Sequence, residues 1–485
     1  MSKKRSPAGA FFAIILLFLI LFFGVYCATE AKWLAEPPAV PALTATGQIQ
    51  LQKTLDEAFP ERKSTALSPL PYAIETKALD IAAGSAIIID TATGSIIYEK
   101  NADAPIPPAS LTKIVEMYVI FEAIERGEAA LDDVVPLPPQ SWSENLPSDA
   151  SRMYLGRGQR VTLRELLLGL AIASGNDASI ACAYYITDSM EAFVERMNAA
   201  CAELGLTHTH FVESSGYSEK NVTTAREFAT FARHYLAKYP QSLNLFHAQK
   251  ELVYPRAKNL PAAESYLGDS KAIRQKNTNK LLGRLKGCDG LKTGFIDESG
   301  YNIAVTAQQN GTRFLAVTMN GPGSNTAEGN EYRIKDNMEL FNYAFGNFAD
   351  YKKKLDESHS YVIGIAGAKE KSVTLVPAYD ETFTVPFIAA DSPTGAAASV
   401  YTEAELPENL YGDVQCGKQY GTLSYLLNGT RLYTVPLVAD RDVQKSNLLG
   451  QAAGFVAQKI LKYAKEWMPK TETSEPVTTA LLTQR

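Results

Sequence analysis

The feature that most constrains this fold is a pair of β-rich segments set at the two ends of a long helical stretch. At one end, residues 85–90 and 95–99 flank the turn Thr91-Ala92-Thr93-Gly94, the pattern of a hairpin. At the other, residues 291–295, 301–307 and 313–319 read as three strands, the last two joined by Asn310-Gly311, a strong hairpin signal. Between them lie four helical segments. One runs from Ser110 to near Gly127. A second opens on the capping box Thr162-Leu163-Arg164-Glu165 and runs through Ala171. The others run from near Asp177 to about Tyr185 and from Met190 to Leu204. A helix over about 330–345 closes the unit. Strands so far apart in sequence, with helices between, predict an α+β domain built on one antiparallel sheet flanked by helices.

Three short motifs in this frame carry chemistry. Pro107-Pro108 bars a helix upstream and favours a first turn just after it, so Ser110 sits near a helix start. Backbone N–H groups and the helix dipole there favour a developing negative charge. Lys113 follows one turn on along the same face, and the apolar run Ile114-Val115 to Ile120 marks the helix as buried. Burial lowers a lysine pKa, and a neutral amine beside a hydroxyl makes a nucleophilic serine. Ser174-Gly175-Asn176 lies 64 residues later in a tight interhelical loop, and Lys292-Thr293-Gly294 begins 118 residues after that on a strand. Each motif alone arises by chance. The ordered set is the one used by penicillin-binding proteins and class A β-lactamases.

The remainder of the chain of 485 residues bounds the setting. The net charge of −6 gives no reason to expect nucleic acid. Five scattered cysteines without a C-x-x-C spacing, and His208-x-His210 as the one close histidine pair, indicate no metal site, no cofactor and no disulfide framework. Lys3, Lys4 and Arg5 precede an apolar run from Ala8 to Ala28, which is an export signal. Its length falls between a cleaved signal core and a spanning helix, so residues 1–31 are a signal peptide or an N-terminal signal anchor. Either way the remainder is exported to the outer face of the cytoplasmic membrane. Residues 32–75 read as a proline-bracketed linker, helical only around 51–58. After residue 351 strands recur at 361–364, 372–376, 382–385 and 431–438. Residues 444–467 form an amphipathic pattern. Leu448, Leu449, Ala452, Phe455, Val456, Ile460, Tyr463 and Trp467 share one stripe, suited to a membrane surface or to packing on the preceding domain. Residues 469–485 read as disordered.

Beyond the three motifs, the chain carries Leu155-Gly156-Arg157-Gly158-Gln159, Leu204-Gly205-Leu206-Thr207, Thr224-Ala225-Arg226-Glu227 and Asn279-Lys280-Leu281-Leu282. It also carries Asp289-Gly290-Leu291-Lys292-Thr293-Gly294, Ser299-Gly300-Tyr301-Asn302 and Arg333-x-x-Asp336. Over roughly residues 80–440 it resembles low-molecular-mass penicillin-binding proteins of the penicillin-binding protein 5 type, which are D-alanyl-D-alanine carboxypeptidases. One departure is Ser214-Ser215-Gly216-Tyr217, where members often read His-Gly-Leu.

The resemblance implies a β-lactamase/transpeptidase-like catalytic domain over 76–348. A small all-β sandwich domain over 349–441 and a C-terminal amphipathic helix over 442–468 follow. The implied reaction removes the terminal D-alanine from peptidoglycan stem pentapeptides, with β-lactams as inhibitors. Ser110 would be the nucleophile, Lys113 the general base, Ser174 a proton relay and Asn176 a partner of substrate or Lys113. Lys292, Thr293, Gly294, Phe295 and Arg333 would bind substrate, Phe295 through its backbone N–H and Arg333 with Thr293 at the terminal carboxylate. Other readings are a DD-endopeptidase, a β-lactamase, or a catalytically weak wall-binding or penicillin-sensing protein. Glu195-Arg196-Met197-Asn198 is similar to the deacylating segment of class A β-lactamases, but it falls within an amphipathic helix and reads as surface.

Overall fold

The structure is a computed structural model that describes residues 7–63, 65–74, 77–352, 359–379, 381–386 and 399–467. The chain divides into two compact units. One holds residues 65–352 with 382–400, and the other holds 1–64, 353–381 and 401–485.

The first unit is organised by a six-stranded sheet. Its order is Ser68–Pro69, Ser95–Lys100, Ser85–Asp90, Thr312–Gly321, Gly300–Gln309, Cys288–Ile296. Every neighbouring pair is antiparallel except the short first strand, which runs parallel to the second. The β-rich ends of the domain therefore meet at the centre of the sheet, where Ile88 faces Ala316 in register. Alternation along the strands divides the core in two. Ile87, Ile89, Leu315 and Val317 pack against the helical side, whereas Ala86, Ile88, Phe314 and Ala316 pack with Leu340, Phe341 and Ala344 of the Thr326–Asn347 helix. Both faces are covered, so these strands are apolar throughout and not merely alternating.

The helices follow their sequence signals with local differences. Thr162 caps the Leu163–Leu168 helix in a capping box with Glu165. That helix then widens into a π-turn over Gly169–Ala173 before the Asn176–Thr187 helix. The Ala225–Lys238 helix adds to the helices expected from the sequence. Its N-cap is Thr224, which accepts from the Glu227 backbone N–H at 3.1 Å. The segment expected to be surface is partly internal. Met197 is fully buried, and Asn198 exchanges two hydrogen bonds with the Phe211 backbone.

Two expected boundaries need correction. The Phe348–Lys352 and Thr382–Pro386 strands pair with each other and belong to the first unit, not to the C-terminal one. Thr384 fixes them there, donating to Asp90 at 2.7 Å while its carbonyl accepts from Tyr72 at 2.8 Å. Nor are residues 32–75 a bare tether. The Ala45–Ala58 helix buries Leu51 and Leu55 with Ala378 and Val438, and Ser68 and Pro69 add an edge strand to the sheet of the first unit.

The C-terminal unit contains a six-stranded sheet in the order Tyr401–Glu405, Gln419–Leu427, Thr430–Ala439, Ser372–Pro377, Tyr361–Ala366, Leu410–Tyr411. Its last helix, Leu448–Trp467, has two apolar faces. Small residues make the inner one: Ala453 and Ala457 are fully buried, and Gly454 lies so close to the Gly367 backbone that a Cβ would sit 2.2 Å from its nitrogen. Leu449, Phe455, Val456, Ile460 and Tyr463 form the outer face and are exposed. Residues 469–485 lie outside the described residues.

Leu55 is 2% exposed in its contact with Val438. Leu55→Ala should therefore destabilise the C-terminal unit by about 2–4 kcal/mol. Thermal unfolding of the full chain checks this, and a loose linker would give no change.

Candidate active site

Ser110 stands in a short 3-10 turn, Ala109–Leu111, that leads into the Thr112–Glu125 helix. Ala109 adopts a positive φ of 49°, a region that costs a residue with a side chain of order 1–3 kcal/mol. Two glycines make room for this turn. A Cβ on Gly216 would fall 1.9 Å from the Ala109 carbonyl oxygen, and Gly216 itself has φ 78°. A Cβ on Gly294 would fall 2.7 Å from the Pro108 oxygen and 3.0 Å from the Ser110 nitrogen. The Cys288–Ile296 strand thus runs directly beside the Ser110 backbone. Asn302, on the next strand, donates to the Pro107 carbonyl at 2.9 Å and ties the approach to the turn.

Lys113 is fully buried and has three oxygen neighbours. Its Nζ lies 2.8 Å from Asn176 Oδ1, 2.5 Å from the Ser215 carbonyl and 3.2 Å from Ser110 Oγ. Desolvation brings its pKa down to about 8, against the opposing pull of Glu116, Glu213 and Asp177. A neutral amine has two N–H donors and one lone pair. Asn176 and Ser215 present oxygens that can only accept from it, so they take both donors, and the lone pair is left for the Ser110 hydroxyl.

Lys292 is 1% exposed, with Nζ 2.9 Å from Ser174 Oγ and 2.8 Å from the Thr293 carbonyl. Burial holds its pKa well below the usual lysine range, reinforced by the nearby Lys113 and Arg333. Ser174 sits in left-handed conformation, φ 59°, at the end of the π-turn, which turns its side chain toward Lys292. Asn176 begins the following helix, and its backbone N–H donates to the Ser151 carbonyl at 2.8 Å. Asp177, fully buried, locks that loop by accepting from the Met153, Tyr154 and Leu155 backbone and from Ser143.

Thr293 donates to Thr278 Oγ1 at 2.7 Å, and Phe295 is 44% exposed at the rim, stacked on Tyr301 at 4.4 Å. Arg333 is 7% exposed. It donates to the Gly294 carbonyl and to Asn330, and its guanidinium lies 5.0 Å from the Tyr301 ring centre. Its Nε is buried without a partner, and burial lowers its pKa to about 10. Among the described residues no carboxylate forms an ion pair with Lys113, Lys292 or Arg333. Arg333 is therefore the buried cation of the cleft without a resident carboxylate, which favours an anionic group beside it.

All nine residues singled out in the sequence lie in this one cleft or its lining. Sequence reasoning missed the Ser215 carbonyl, which shares Lys113, and the Gly216 approach. It also missed Glu213, which accepts from the Ser215 and Gly216 N–H groups at 2.7 Å and from Asn221, so holding that loop. Glu116 was missed too. It lies one turn beyond Lys113 with both oxygens buried, and burial raises its pKa to about 8. The signal available was its spacing on an otherwise apolar helix.

Comparison with known proteins gives a consistent picture. The model of the D-alanyl-D-alanine carboxypeptidase family matches residues 72–323, and that of the penicillin-binding protein 5 C-terminal domain matches residues 354–445. The D-alanyl-D-alanine carboxypeptidase DacF of Bacillus subtilis is 29% identical over 370 residues, 76% of this chain and 87% of the relative. DacC of Escherichia coli is 28% identical over 82% of this chain and 94% of its own. The structure of penicillin-binding protein 5 from Haemophilus influenzae superposes with a TM-score of 0.63 at 26% identity. That match covers 76% of this chain and 100% of the other.

The crowding at Gly294 yields an expected outcome. Gly294→Ala should push the strand off the Ser110 turn and slow acylation by about 100-fold, since shifts near 1 Å at a reacting group cost that much. Labelling kinetics with a fluorescent penicillin measure it, alongside unfolding to show that the fold survives.

Proposed function

The chain belongs to the D-alanyl-D-alanine carboxypeptidase family, and from that premise we propose how its cleft carries out the reaction. The activity is that of a serine-type D-Ala-D-Ala carboxypeptidase, a hydrolase. We assign Ser110 as nucleophile, attacking the carbonyl of the penultimate D-alanine in a peptidoglycan stem pentapeptide. Lys113 accepts the hydroxyl proton. The observation that carries this reading is the Lys113 hydrogen-bond set, in which two fixed acceptors leave the lone pair of a neutral amine for Ser110.

The oxyanion is held by the backbone N–H groups of Ser110 and Phe295, on the strand that Gly294 allows to pass beside the turn. The C–N bond then breaks. Ser174, linked to Lys292, relays a proton to the departing amine of D-alanine, and a water hydrolyses the acyl-enzyme to release the shortened peptide. Thr293 and Arg333 bind the terminal carboxylate. In support, Arg333 is buried, keeps one N–H without a partner, and has no resident carboxylate among the described residues. Asn176 orients Lys113. β-Lactams acylate the same serine. The enzyme works on the outer face of the cytoplasmic membrane, and the exposed apolar stripe of the Leu448–Trp467 helix meets the lipid surface.

The test is direct. The purified protein should release free D-alanine from a pentapeptide ending in D-Ala-D-Ala and be labelled by penicillin, and Ser110→Ala should lose both. Labelling that persists in the variant would sink the assignment.

The pH profile follows from the Lys113 environment. Below its pKa of about 8 the amine is protonated and cannot take the Ser110 proton, and above it the base is free. The rate of acylation should rise through roughly pH 8 to an alkaline plateau. Glu116 pulls the Lys113 pKa upward, so Glu116→Gln should move the midpoint to lower pH. A profile falling from neutral to alkaline pH would contradict the role of Lys113.

A further inference from the structure

The sequence leaves open whether the N-terminal apolar segment is removed after export. Its helix runs unbroken from Pro7 to Ala35, and the two halves have different surroundings. From Phe11 to Val25 there is no charged or hydrogen-bonding side chain, and large apolar groups stand in the open. Phe11 is 64% exposed and Phe22 66%. Past Val25 the pattern changes. Cys27, Glu30, Ala31 and Leu34 are buried, and their spacing of three, four and seven residues is that of one helical face.

That face is docked within the C-terminal unit. Ala31 and Leu34 share a cluster with Ala366, from the Tyr361–Ala366 strand, and Ala457, from the last helix. Gly364 on the same strand makes the approach, since a Cβ there would meet the Leu34 Cα at 3.2 Å. Glu30, 1% exposed, accepts from Lys371 Nζ at 2.6 Å. Lys371 also donates to the Ala368 carbonyl at 2.9 Å and lies 5.4 Å from the Trp33 ring centre. Just beyond the helix, the Pro38 carbonyl accepts from Ser372 at 2.7 Å.

A segment destined for removal has no reason to supply a buried carboxylate to the mature domain. Cutting after Ala31 would take Glu30 away and leave a largely buried Lys371 without its counter-ion. Breaking a buried pair by removing one partner is strongly destabilising. It would also open a groove along Gly364, Ala366 and Ala457. We propose that this helix is retained in the mature protein and has two jobs. The part through Val25 spans the lipid bilayer, and the last turns, Tyr26–Ala35, are a structural piece of the C-terminal unit.

The dimensions suit a bilayer. The apolar run from Ala8 to Val25 spans about 27 Å at the helical rise, close to the hydrocarbon thickness. Lys3, Lys4 and Arg5 precede it, the sign expected on the cytoplasmic side, and Tyr26 and Trp33 stand at the far end, where interfacial aromatics collect. The last helix, which carries the exposed stripe, belongs to the same unit and packs on this helix through Ala457 on its other face. The β unit is then joined to the membrane by a rigid joint, with no flexible tether between the spanning helix and the domain. This inference is independent of the catalytic assignment.

The experiment uses the full chain, tagged at its C-terminus, exported in a bacterial host and extracted from membranes in mild detergent. Intact-mass measurement should find the Pro7–Ala35 segment present, and a mature N-terminus anywhere from residue 24 to 45 would overturn retention. Glu30→Gln should lower the melting temperature by several degrees and leave penicillin labelling unchanged. The double variant Glu30→Met with Lys371→Met should recover part of that loss. Melting of Glu30→Gln together with the unsubstituted protein would overturn the docked joint. If Glu30→Gln fails to accumulate, the double variant decides: recovered accumulation supports the pair, and an equal failure overturns it.

Discussion

The catalytic unit depends on keeping two lysines dry. Lys113 and Lys292 are both essentially without solvent, and an ammonium ion in such a place is expensive unless it is paired. No carboxylate pairs with either among the described residues. The fold offers fixed neutral oxygens instead: Asn176 and the Ser215 carbonyl for one, Ser174 and the Thr293 carbonyl for the other. Neutral acceptors stabilise an amine without demanding that it be charged. Burial then decides the balance and lowers both pKa values. The four acceptors come from three separate parts of the chain. The cleft therefore exists only when the Asn176 helix, the Ser215 loop and the Lys292 strand are all in place.

Close backbone approach is the second constraint, and it explains the glycines near Ser110. The Lys292 strand and the Ser215 loop must both reach the turn that carries the serine, and a methyl group at Gly216 or Gly294 would collide with it. Ala109, held at positive φ, shows that the turn itself is strained. The surroundings over-determine that strain: Asn302 holds Pro107, Thr112 donates to the Ala109 carbonyl at 2.8 Å, and the Asn221 side chain lies 3.3 Å from Thr112 Oγ1. The departure at residues 214–217 is accommodated because the contact this loop supplies to Lys113 is a backbone carbonyl. Its side chains turn elsewhere: Ser214 bonds Ser179, and Tyr217 reaches Asp149.

Much of this was legible in the sequence because it rests on local signals. The β-rich runs, the Asn310-Gly311 turn and the Thr162–Glu165 capping box each act within a few residues, and the sheet and its helices follow from them. The three motifs were legible because their residue types are scarce in that combination. What was not legible depends on contacts between distant residues. A carbonyl such as that of Ser215 has no side-chain signature. Glu116 drew no attention in the sequence, because its place in the helix does not by itself reveal that no water reaches it. The Phe348–Lys352 strand was given to the wrong unit because its partner, Thr382–Pro386, lies some thirty residues on and only pairing assigns it.

The last helix shows why one periodicity could not separate two roles. A hydrophobic stripe reports which side is apolar and says nothing of what covers it. Here the large residues Phe455, Ile460 and Tyr463 were the visible stripe, and packing on the domain and contact with lipid competed as explanations. The structure separates two faces, one packed on the domain and one exposed. Packing uses Gly450, Ala453, Gly454 and Ala457, whose small size lets backbones approach but adds little to a hydropathy pattern. The large side chains are left free because the domain does not need them. Small residues on one side of a helix and bulky apolar ones on the next is therefore the pattern to seek where a terminal helix joins a domain and keeps an apolar face exposed.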